Sequence, residues 1–169
     1  MTVAVLHATV INKSGKSADV RTSSKECSKM IAVPIFDVEI SYDFPYLGIT
    51  YILIIKNALY IPSMNHNLMP PLIIREAGLI VNDVPRIHTR QEDLTNQTHC
   101  IVSRVDGDDN GTNLNIHMNS DGIFSYFPTR KLTMDGLEEC EYMETVYLIP
   151  DAAQWNPYDK EYAEAGDKF

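Results

Sequence analysis

Closely spaced cysteines are missing from this chain. Cys27, Cys100 and Cys140 are its three cysteines and lie far apart. That excludes a disulfide framework and suits a reducing compartment, so an intracellular, cytoplasmic location is expected. Basic residues are scarce: 14 Lys and Arg face 23 Asp and Glu, for a formal net charge of −9. A phosphate-binding surface needs clustered Lys and Arg, so nucleic acid is not an expected partner. Long apolar runs are also absent. The apolar stretch Met1 to Val10 is too short to span a bilayer and has no positive charge ahead of it, so neither a membrane span nor a signal peptide is expected. The sequons Asn96-Gln-Thr98 and Asn110-Gly-Thr112 are therefore read as chance matches.

Motifs that carry chemistry are absent as well. There is no Cys-x-x-Cys and no His-x-x-x-His. His88, His99 and Cys100 are the nearest approach to a ligand cluster, but adjacent residues of a strand point to opposite faces, so no metal site is expected. Asp106-Gly-Asp-Asp-Asn-Gly111 hints at a calcium loop and lacks its closing Glu. No Gly-x-Ser-x-Gly elbow, phosphate loop or dinucleotide fingerprint occurs, and no cofactor is expected. An aspartic protease needs two carboxylates sharing a proton, each in an Asp-Thr-Gly or Asp-Ser-Gly turn. Neither triplet is present. The pairs Asp106-Gly107, Asp121-Gly122 and Asp135-Gly136 are read as turns or caps. No catalytic, cofactor-binding or metal-binding residue is assigned. A nucleophile–base pair using Cys100 or a His stays open.

What remains is a chain of 169 residues, 44% hydrophobic, long enough for one buried core. Segment 1–30 is poorly patterned, with one strand over Thr2 to Ile11 and a loop or irregular strand over Lys16 to Met30. Segment 31–130 reads as a β domain. Ile31 to Tyr42 and Ile49 to Leu59 are dense in β-branched and aromatic residues, and the Asp43 to Gly48 turn joins them as a hairpin. Ile31, Val33, Ile35 and Asp37 share one face of the first strand, and Ala32, Phe36, Val38 and Ile40 the other. Pro34 points to an edge or a bulge. Pro70-Pro71 open a short helix and Gly78 closes it. Leu79 to Val84 and Cys100 to Val105 follow as strands.

Leu114 to Met118 and Gly122 to Phe127 read as a second hairpin. Gly122-Ile-Phe-Ser-Tyr-Phe-Pro128 is aromatic, and alternating core packing is expected there. Loop residues Asn65, His66 and Asn67 are expected to bond local backbone. Segment 131–169 is an acidic, loosely ordered tail, with a short acidic helix ending near Met143 and a last strand over Val146 to Ile149. The fold class is mainly β with one or two short helices, closing as a small barrel.

Leu59-Tyr-Ile-Pro62, Asn67-Leu68 and Gly78, in that order around a strand, a turn and a helix, resemble the second half of the protease region in copia-type retrotransposon polyproteins. Ile123-Phe-Ser-Tyr-Phe-Pro-Thr-Arg130 is similar to these polyproteins too. The resemblance implies a partial retropepsin-like β-barrel in which Ile31 to Leu59 supplies a flap-like hairpin. It implies a polyprotein context of protease, integrase, reverse transcriptase and RNase H. The catalytic triplet expected ahead of the flap is missing, so no catalytic residue carries over. The chain is expected to be a polyprotein fragment without activity of its own. The alternative is a non-catalytic β-rich interaction module. Either would pair through strand edges, with a second copy or with other polyprotein segments.

Overall fold

β-branched and aromatic residues fill the two longest apolar strands, and their lengths set the architecture. The computed structural model describes residues 4–5, 8–20, 30–61, 66–104, 113–122, 124–133 and 143–149. Its strands are β1 (Ala4–Val5), β2 (Thr9–Val20), β3 (Met30–Asp43), β4 (Thr50–Tyr60), β5 (Ile80–Asn82), β6 (Cys100–Arg104), β7 (Asn113–His117), β8 (Asn119–Asp121), β9 (Phe124–Tyr126) and β10 (Met143–Ile149). One α-helix, α1 (Pro71–Glu76), and two short 3-10 turns, Arg86–His88 and Gln91–Asp93, complete the described elements.

The first sheet has five strands. β3 and β4 form the expected hairpin, antiparallel from Ile35–Leu59 to Asp43–Thr50. The turn is pinned by the Phe44 N–H on the Ile49 carbonyl at 2.8 Å. β2 pairs with the other edge of β3. The far edge of β4 is shared by two parallel strands, β1 at Leu59–Tyr60 and β10 from Thr50 to Ile55. Strands from segments 1–30 and 131–169 thus join the same sheet as the middle segment. β5, β6 and β7 form a three-stranded antiparallel sheet, and β8 and β9 a two-stranded one. Among the described residues all three sheets are open. Closure requires the outermost strands to pair with each other, and β2 does not reach β1 or β10, so the expected barrel does not close.

The main core lies between the first sheet and the layer made by α1 and the β5–β6–β7 sheet. Val38, Ile40 and Tyr42 of β3 meet Leu53 and Ile55 of β4, Val146 and Leu148 of β10, Ile73 and Ile74 of α1, and Ile101 and Ile116. Burying an aliphatic side chain of this size is worth about 1.5–3 kcal/mol. Ala18, Val33, Leu59 and Ile61 form a smaller cluster, with Ile35 packed against it. The predicted alternation in β3 therefore holds: Val33 and Ile35 serve one cluster, Val38 and Ile40 the other.

The bulge expected near Pro34 is part of a larger irregularity. The β2–β3 register slips between Lys13 and Ser17, and Pro34 pairs with Ser17 beyond it. A second slip puts Asp37 of β3 opposite both Lys56 and Asn57 of β4. Two residues facing one is the signature of a β-bulge. Asn57 takes the left-handed conformation, φ 54°, and its N–H bonds to Asp37 Oδ1 at 3.0 Å. Asn12 Nδ2 donates to Asp37 Oδ2 at 3.3 Å, and Lys56 Nζ stands 3.7 Å away. A buried carboxylate thus satisfies the groups that the interrupted ladder would orphan.

Other expectations shift in detail. Of the two readings open for this stretch, a loop or an irregular strand, Lys16 to Val20 takes the second, continuing β2 across register slips, because the β3 backbone provides ladder bonds whatever side chains it faces; residues 21–29 lie outside the described part. The second hairpin is re-paired. β7 bonds to β6, and the hairpin is β8 with β9 around Gly122. The apolar side chains Leu114 and Ile116 are buried with Ile101, so core packing claims β7 for the sheet. The acidic helix, the Asp106–Gly111 turn and residues 150–169 fall outside the described residues. Among the described residues no helix is long and apolar enough to cross a membrane.

Candidate functional site: an apolar cleft

Proline fixes the entrance of α1. Pro71 occupies the first helical turn, where its missing N–H costs nothing, and the Pro70 carbonyl accepts the Ile73 N–H at 3.0 Å. The helix ends as expected. Gly78 has φ 87°, its N–H reaches the Arg75 carbonyl at 2.9 Å and the Leu79 N–H the Ile74 carbonyl at 3.2 Å, the bonding of a glycine C-cap. This stop sends the chain directly into β5.

α1 and the residues before it form one wall of a cleft of about 410 Å³. That wall is Asn67, Leu68, Met69 and Pro71. The floor is Ile40, Ile74 and Ile101, all fully buried. The facing wall is the β9 strand and its continuation, Phe124 to Phe127, with Thr129. Asp83, just past β5, lines the cleft as well. Cavities of this size and apolar character are typical of ligand sites. Phe124, 70% exposed, and Tyr126, 49% exposed, stand at its mouth with Leu68. The expected alternating core packing thus fails at Phe124 and Tyr126, because a three-residue hairpin has no sheet above it. Phe127 does pack on the core, 6.0 Å edge-to-face from Tyr42.

Polar contacts hold this second wall to the first sheet. Arg130 makes a forked ion pair with Asp43, Nε to Oδ2 at 2.8 Å and Nη2 to Oδ1 at 3.0 Å. That pairing, with the Thr50 hydroxyl, holds the Asp43 carboxyl below the usual carboxylate range against the opposing effect of burial. Ser41 and Arg130 exchange backbone hydrogen bonds of 3.0 Å, and Thr9 Oγ1 donates to the Leu132 carbonyl at 3.0 Å.

The wall is also tied to the middle sheet. His99 Nε2 lies 2.8 Å from Ser125 Oγ, and the His99 carbonyl takes the Met118 N–H at 2.9 Å. His99 is buried and adopts φ 55°. Burial, and then the Arg86 cation, lower its pKa, with Asp83 pulling the other way. The imidazole is therefore neutral near pH 7. His117 is lowered for the same first two reasons, and its buried Nδ1 has no hydrogen-bond partner.

The sequence-level candidates do not assemble. Cys100 is fully buried, its Sγ donates to the Gln97 carbonyl at 3.0 Å, and burial pushes the thiol pKa up. It is a poor nucleophile on both counts. His88 and His66 are exposed. Asn67 lines the cleft; Asn65 lies outside the described residues. No group of three or more His, Cys, Asp or Glu able to hold a metal occurs among the described residues. Neither Asp37 nor Asp43 is bonded to another carboxylate; their partners are Asn12, Asn57 and Lys56 for the first, and Thr50 and Arg130 for the second. The His99–Ser125 contact had no sequence signal, and nothing in the sequence showed that the stretches around Asn67-Leu68 and Phe124–Phe127 would meet across one cleft. No family model, no curated protein and no solved structure matches this chain.

Proposed function

We propose that the chain is a segment of a copia-type retrotransposon polyprotein. Its β domain corresponds to the flap and C-terminal half of an aspartic protease, a partial retropepsin-like barrel, and by itself it lacks aspartic peptidase activity. One observation carries the reading. The two stretches that resemble such polyproteins, Leu59 to Gly78 and Ile123 to Arg130, are far apart in the chain, yet Asn67, Leu68, Met69 and Pro71 of the first and Phe124 to Phe127 of the second line one cleft. The resemblance assigns a flap-like hairpin to Ile31 to Leu59, and the antiparallel pairing of β3 with β4 over that stretch supports the reading. Proton sharing between two carboxylates, which aspartic proteolysis needs, has no counterpart among the described residues. An acid-pH peptidase assay on the purified chain is expected to show no cleavage. Cleavage abolished by substituting a single Asp would sink the proposal.

The exposed apolar rim of Leu68, Phe124 and Tyr126 favours a second reading, a β-rich interaction module. Contiguous exposed apolar surface is a feature of interaction sites. The same module could pair through the outer strand β2, with a second copy or another polyprotein segment. A cytoplasmic location suits either reading. Light scattering and pull-down that found only a lone monomer would remove the second.

A further inference from the structure

We propose that Ser125 and His99 form a nucleophile–base pair that hydrolyses carboxylic esters whose short apolar acyl group seats in the cleft. The proposal goes beyond the polyprotein reading and uses no aspartic chemistry. Geometry comes first. Ser125 lines the cleft, and its Oγ is 2.8 Å from His99 Nε2, the reach a general base requires. Ser125 is exposed while His99 is 3% exposed, so the hydroxyl meets solvent and the base is sheltered behind it.

Two further observations point the same way. The imidazole is held neutral, and in the tautomer with its proton on Nδ1 the free Nε2 accepts the Ser125 proton. Burial and the Arg86 cation oppose the imidazolium formed during attack, and Asp83, which lines the same cleft and is paired with Arg75 at 3.0 Å, offsets them in part. His99 sits at φ 55°, a conformation that costs about 1–3 kcal/mol for a non-glycine residue and concentrates at functional sites. Ile40, Ile74 and Ile101 below offer an apolar seat for an acyl chain.

The chemistry balances without a cofactor or redox partner. Ser125 Oγ attacks the ester carbonyl carbon, and its proton passes to His99 Nε2. The bond from that carbon to the alkoxy oxygen breaks, and the departing alcohol takes the proton from Nε2. Water then attacks the acyl-serine and gives a proton to Nε2. The carbon–Oγ bond breaks, the carboxylic acid leaves, and Ser125 recovers its proton from His99.

The test uses the full chain with p-nitrophenyl butyrate and, separately, a fluorophosphonate probe read by mass spectrometry. Hydrolysis at least about tenfold above that of Ser125→Ala is expected, since a general base alone contributes on the order of a hundredfold or more. The probe is expected on Ser125. His99→Gln is expected to lose both signals, and the rate should fall on acidification through a single ionisation below the ordinary His value. Equal hydrolysis by Ser125→Ala and the unsubstituted chain overturns the proposal. So does a probe absent from Ser125. If His99→Gln fails to fold, the Ser125→Ala comparison, with folding checked by circular dichroism, decides alone. A Ser125→Ala variant less stable but equally active would leave the contact as a structural tether and overturn the proposal.

Discussion

The β3–β4 hairpin and the cleft half of the molecule are built on different terms. The hairpin consists of strands of 14 and 11 residues joined by a short turn. Its two strands are close in sequence, and every β4 residue is buried or half-buried. The cleft half consists of strands of three to five residues and a six-residue helix. None of these could persist alone, because short elements do not repay the entropy of ordering them. They are held by contacts between segments: Arg130 with Asp43 across 87 residues, His99 with Ser125 across 26. The hairpin supplies the foundation, and the cleft is what is attached to it. The difference teaches that apolar burial along two long strands carries the first region, whereas the second adds polar ties and a glycine stop to the apolar side chains, Ile73, Ile74, Ile101 and Ile116, that it gives to the shared core.

Substitutions test that division. The largest effect is expected at Leu53, fully buried at the centre of the core. Leu53→Ala should cost about 2–5 kcal/mol, read as a lower urea midpoint, with both regions lost together. Loss of the cleft alone would break the claim that the hairpin is its foundation. Asp37→Ala comes next, at about 1–3 kcal/mol, because the Asn57 N–H and Asn12 amide lose their acceptor inside the bulge. Asp37→Asn keeps one carbonyl acceptor and should recover part of the loss.

Gly78→Ala sharpens the comparison from the cleft side. A Cβ there would meet no atom within 4 Å, so the cost is that of the backbone at φ 87° alone, about 1 kcal/mol. Hydrogen exchange should show faster amides in α1 and β5 and unchanged ones in β3 and β4. Uniform change would mean that the regions are not separable.

The smallest and most gradual effect is expected from pH. His99 and His117 have folded-state pKa values below their ordinary value. The unfolded chain therefore binds more protons than the folded one. Their contribution is complete above the unfolded value, about 6.5, and is lost as pH falls from there towards the lowered folded values. Thermal melts should thus fall between pH 7 and pH 5, and His117→Phe should flatten part of the slope. The Asp43–Arg130 tie acts at lower pH. Its depressed carboxyl contributes above the unfolded Asp value, about 3.9, and the contribution fades as pH drops through the folded value; both partners are exposed enough for salt to weaken it.

Local signals in the chain determined the β3–β4 hairpin, the α1 helix with its proline start and glycine stop, and the strands at Cys100 and Val146. Each rests on periodicity or on a residue whose backbone preference acts within a few positions. The sequence also determined what is missing: a paired-carboxylate triplet and any metal-ligand spacing. Tertiary structure decided the rest. It gave β7 to β6 rather than to the next strand, because Leu114 and Ile116 are buried there. It extended β2 through a polar stretch, because a neighbouring backbone satisfies ladder bonds regardless of side chain. It left the sheets open, since β4 offers its second edge to two parallel strands, β1 and β10, whose pairing with it nothing local specifies. It made the cleft from Leu68, Asp83 and Phe124, and set Ser125 against His99. These residues share no spacing, so only the packing of the whole chain brings them together.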